Sequence, residues 1–146
     1  MNLEKPEYEK DFYAWALHTA KLIRDGNFSA IDREYVAEEI EDMGKSDRRE
    51  LVNRLSVLLA HLLKWKYQPI RRGNSWKCTI KLQRLEIRKN LEESPSLQYE
   101  LNRQVDDAYE KALIIASAQT GLSENTFPKK CPFILQECLD DDFFPE

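Results

Sequence analysis

Four carboxylates within five residues, Glu38, Glu39, Glu41 and Asp42 of the string EEIED, are the first group whose spacing could do chemistry. On a helix Glu38 shares a face with Glu41 or Asp42, which suits metal ligation, and His18 or His61 would complete a site between helices. Helical di-metal centres ask for Glu-x-x-His on two helices, and that pattern is absent. His61 also lies about 20 residues beyond the glutamates, or roughly 30 Å along one helix, so a site forms only if the chain folds back near Gly44. Neither a metal nor a cofactor is expected. Nucleophilic catalysis has less support, with no GxSxG, no Gly-rich phosphate loop and no cysteine beside a convincing base. No catalytic residue is assigned.

A second constellation is polar and lies along the edges of apolar stripes. Gln83 falls in the middle of the stripe Trp76, Ile80, Ile87 and Leu91, with Thr79 facing inward and Arg84 on the flank. His61 and Glu39 border the stripes of other segments. Where the flanks meet, the Arg84 guanidinium is expected to answer Glu39 with two parallel hydrogen bonds, a geometry that a lysine ammonium cannot reproduce. The six residues Glu39, His61, Arg72, Thr79, Gln83 and Arg84 form the candidate patch, with any ligand at its solvent-facing mouth near Arg72.

Charge divides the chain unevenly. Between Lys64 and Lys89 there are nine basic residues against one acid, Glu86, so this piece carries +8 and the remainder −12. Trp65, Tyr67 and Trp76 lie in or beside it, as on single-stranded nucleic-acid surfaces where cations hold phosphates and rings stack on bases. Against this, Trp65 and Trp76 sit on core stripes, and the overall pI is 5.4. The favoured reading is internal: Lys64, Arg71, Arg72 and Arg84 answer the glutamates of EEIED. Nucleic-acid binding through residues 64–89 is the alternative, and an enzyme or metal protein built on the Glu/His/Arg cluster is a third.

The elements that position these groups are helices. The chain has 146 residues, 42% hydrophobic and 33% charged, with only four glycines, which fits one soluble all-α domain over 1–146. Leu51, Leu55, Leu58, Leu62 and Trp65 make one stripe, widened by Val52, Leu59 and Leu63, so the segment Leu51–Lys66 is the central core helix. A first helix is expected from Tyr8 to Asp25, stopped at Gly26, with Tyr8, Phe12, Trp15, Thr19 and Leu22 inward and His18 at the boundary. A second, capped by Ser29 or Asp32, turns Val36, Ile40 and Met43 inward. Gly44 marks a kink or break, leaving residues 33–67 as one bent rod or two helices. Pro69 ends the central helix, a further helix runs from a cap at Asn74 or Ser75 to Glu93, and the last runs from Pro95 to Gly121. The tail packs through short helical turns with Phe127, Phe133, Ile134 and Leu135. The expected architecture is an antiparallel helical bundle of four to five main helices with a short C-terminal helical tail.

Three cysteines without metal spacing fit a reducing cytosol, and neither a signal peptide nor a membrane span is evident. The best functional reading is a non-enzymatic module that binds another protein or itself. The strings YEKDFYAWAL, YVAEEIEDMGKSDRREL, LLAHLLKWKYQP, RRGNSWKCTIKLQR, ESPSL and FPKKCPF together resemble a bacterial family catalogued as domain of unknown function number twenty-nine, from Tyr8 to Pro145. That resemblance implies a small all-α cytosolic protein. It implies no reaction and no catalytic set.

Overall fold

The computed structural model describes residues 6–146, and among these every regular element is helical. The chain divides into two compact units, Met1–Gly44 and Lys45–Glu146.

In the first unit, the single helix expected over Tyr8–Asp25 is two, α1 (Glu7–Lys10) and α2 (Phe12–Arg24). Asp11 separates them with a non-helical backbone, and its carboxylate accepts the Ala14 N–H at 3.0 Å. A short acid in that position satisfies a free donor of the first turn, so a new helix start outweighs continuation of the old one. Gly26 stops α2 with a positive φ of 74°. A 3-10 turn, Phe28–Ala30, leads to α3 (Arg33–Tyr67), capped by Asp32 rather than Ser29, since Asp32 accepts the Tyr35 N–H at 3.0 Å. Tyr8 stacks on Tyr35 at 3.6 Å, and Trp15 meets Tyr35 edge-on at 4.8 Å. His18 is exposed rather than partly buried and sits 3.2 Å from Glu7.

α3 runs for 35 residues straight through Gly44, so residues 33–67 are one helix. One glycine costs about 1 kcal/mol against alanine, which helix already propagated on both sides can absorb.

In the second unit, Leu51, Leu55, Leu58 and Leu62 are fully buried, and Trp65 nearly so. Val52, Leu59 and Leu63 are buried with them, as a helix covered on more than one side requires. The cover comes from α4 (Asn74–Glu93), α5 (Leu97–Arg103) and α6 (Val105–Thr120), through Ile80, Ile87, Leu101, Ala108, Ala112 and Ala116. The final long helix is therefore split. The N–H of Gln104 bonds back to the carbonyls of both Glu100 and Leu101, a tightened turn that ends α5 one residue before α6 begins. Gly121 ends α6 with a φ of 76°.

The tail follows as a 3-10 turn, Glu124–Thr126, and α7 (Leu135–Leu139). Phe127, Phe133 and Cys138 are buried, whereas Ile134, expected among the packed residues, is 60% exposed. The three cysteines are free thiols. The protein is an all-α helical-bundle chain.

Candidate functional site

Five residues of the expected polar patch, His61, Arg72, Thr79, Gln83 and Arg84, lie in the second unit, and each has its own hydrogen-bond partner there. Arg84 differs most from expectation. It lies on the core face of α4 with Ile80 and Ile87 and is 1% exposed, while Gln83 is only half-buried. Ile80 and Ile87 keep the inward places that periodicity suggests, and Arg84 rather than Gln83 fills the position between them. The Arg84 guanidinium donates to three backbone carbonyls of the tail: Nε to Cys138 at 2.7 Å, Nη2 to Phe143 at 2.7 Å and Nη1 to Asp141 at 3.4 Å. Burial disfavours its charge, and the nearby Asp141 carboxylate opposes that effect. Tail carbonyls are its partners because an irregular tail leaves acceptors that no helix ladder satisfies.

The rest of the basic segment follows the same logic. Arg72 Nε donates to the Trp65 carbonyl at 2.6 Å, and Nη2 reaches Pro145 at 3.4 Å. Arg88 pairs with Asp141 at 2.8 Å. Lys64 donates to Gln119 at 2.7 Å and lies over the Trp76 ring at 4.8 Å. Within the second unit Lys64, Arg72 and Arg84 are thus engaged by the tail, by α6 and by the backbone of α3. Arg72 and Lys77 lie over the Trp65 ring, and Lys64 over that of Trp76.

His61 donates from Nδ1 to the Val57 carbonyl at 2.9 Å. A carbonyl only accepts, so Nδ1 carries the proton. Burial, with the Lys64 charge added, holds the ring below its ordinary value of 6.5, so it is neutral at pH 7. Thr79 bonds its own helix through the Ser75 carbonyl, and the Gln83 side-chain oxygen accepts from Arg54 at 3.3 Å. Glu39 belongs to the first unit, beside Tyr35, whose phenol is pushed up to about 12 by desolvation and then by Glu39 itself. Among the described residues no group of three or more His, Cys, Asp or Glu is gathered closely enough to hold a metal ion, and no helix is long and apolar enough to cross a membrane.

A different feature stands out in the first unit. α2 and the first turns of α3 flank an open apolar groove of about 510 Å³. Phe12, Trp15 and Ile23 line it from α2; Val36, Ile40 and Met43 line it from α3. Ile40 and Met43, expected to face a core, are 59% and 63% exposed, and Phe12 is 49% exposed. Thr19 is buried, and Ala16 and Ala20 beside it are half-buried, so small side chains form the floor and large ones the rim. Among the described residues that line the groove, Glu39 alone is charged. The sequence carries these residues as an ordinary amphipathic stripe. Periodicity identifies an apolar face but not whether anything covers it.

No curated protein and no solved structure matches the chain. A family model does, over residues 7–144, and with nearly the whole length matched the chain belongs to the family described as Domain of unknown function DUF29.

Proposed function

We propose that this protein is a non-enzymatic, cytoplasmic bacterial interaction module that docks a protein partner in the groove between α2 and α3. The observation that carries this reading is the exposure of Phe12, Ile40 and Met43 around a floor of small residues. Large apolar side chains scattered singly over a surface need no explanation, but a contiguous set lining a concavity is the usual form of a protein-binding face. Methionine suits such a rim, because its flexible thioether adapts to an incoming surface. Three free thiols support a reducing compartment.

The test is co-purification from the native host after mild crosslinking, comparing the tagged chain with an Ile40→Asp, Met43→Asp double variant. A partner held by the first and lost by the second, with unchanged melting temperature, is expected. Retention of the same partner by both proteins overturns the reading.

A further inference from the structure

We infer that the occupant of the α2–α3 groove is an amphipathic helix with basic flanks, supplied by another protein; this rests on the docking reading above. Shape comes first. The lining positions 12, 15, 16, 19, 20 and 23 on α2, and 36, 39, 40 and 43 on α3, recur at helical spacing along both walls. From Phe12 to Ile23 the groove follows α2 for roughly 16 Å, about three turns of an incoming helix. A floor of Ala16, Thr19 and Ala20 lets that helix approach closely, and Phe12, Ile40 and Met43 can close over its apolar side chains. This is the helix-in-groove mode, read by anchors at i, i+3, i+4 and i+7.

Charge then selects among helices. The first 44 residues hold eleven acidic and five basic side chains, a net −6, whereas the remaining 102 carry +2. Glu39 brings one of those carboxylates into the groove wall. A summed field of that sign attracts lysine and arginine and repels acids. A second copy seated through the same face would set −6 against −6, so the field opposes a symmetric pair. An isolated apolar helix without basic flanks would partly desolvate Glu39 and leave the Tyr35 hydroxyl as its partner, with no opposite charge.

The experiment uses the full chain and three fluorescent peptides of about 18 residues, long enough to span the groove. One has leucines at helical anchor spacing with lysine flanks, the second replaces each lysine by glutamate, and the third scrambles the lysine peptide. Binding of the lysine peptide alone is expected, weakening about tenfold between roughly 50 and 300 mM salt as the charges are screened. Glu39→Gln should weaken it several-fold, and Ile40→Asp with Met43→Asp should abolish it. Equal binding of the lysine and glutamate peptides overturns the basic-helix inference while leaving the groove a docking face. Equal binding of the scrambled peptide reduces it to unspecific attraction and overturns it too. Failure of all three overturns it, and sedimentation as a dimer that the double variant disperses would give the groove to a second copy instead.

Discussion

Arg84 Nε donates to the Cys138 carbonyl across 2.7 Å, tying the core face of α4 to the end of α7. The same guanidinium holds Phe143 and Asp141 and lies over the Phe144 ring at 5.4 Å. One buried side chain thus organises the last residues of the chain.

Replacing Arg84 by Met should cost about 2–4 kcal/mol in urea unfolding, since it leaves buried carbonyls without donors. Proteolytic cleavage within the tail should quicken in the same variant. Arg84→Lys should fare little better, because a single ammonium cannot span three carbonyls in a fixed fork. A variant with unchanged stability and tail protection would remove Arg84 from this role.

Leu58→Ala should cost about 2–5 kcal/mol, the range for deleting a large side chain from a packed core. Leu58 has no exposed surface and is surrounded on both sides of α3. A loss below about 1 kcal/mol would mean that the core closes over the missing atoms far more easily than such sites do.

The buried His61 should make stability fall in mild acid. Its folded pKa lies below 6.5, so between the two values the unfolded chain binds the proton and the folded chain does not. Stability from this group is therefore complete above about pH 6.5 and declines as pH falls toward the folded value. Urea midpoints measured across that window should slope downward in the wild type and more weakly in His61→Gln.

Single substitutions Ile40→Asp and Met43→Asp should change stability by no more than about 0.5 kcal/mol, the usual range for an exposed site. A core position would lose several times more. Melting temperatures of the two variants check this directly and certify them as docking probes.

Gly121→Ala should cost about 1 kcal/mol, because its φ of 76° places a Cβ in the left-handed region. Nothing lies within 4 Å of that Cβ, so backbone conformation alone sets the penalty. Gly44→Ala, in a helical position with equally open surroundings, should stabilise instead.

Local chemistry made much of the molecule legible without tertiary information. The Leu51–Trp65 stripe and the stops at Gly26 and Gly121 each follow from interactions within a few residues, which the sequence displays directly, whereas of the two caps it offers for α3, Ser29 and Asp32, the structure uses Asp32. Helical spacing alone, with no β-branched run to compete, determined the all-α class.

Tertiary structure decided what depends on distant groups. Gln83 and Arg84 differ by only 100° around α4, and the spacing of apolar neighbours favours Gln83 for the interior. Arg84 takes that place because the tail, more than fifty residues later, offers carbonyls that only a long multidentate donor can satisfy. Likewise Ile40 and Met43 carry the same signature as core residues, since an apolar stripe looks alike whether a neighbour covers it or solvent reaches it. Burial is a property of what packs against a face, and that is settled by the folded chain and its partners, not by the helix that presents it.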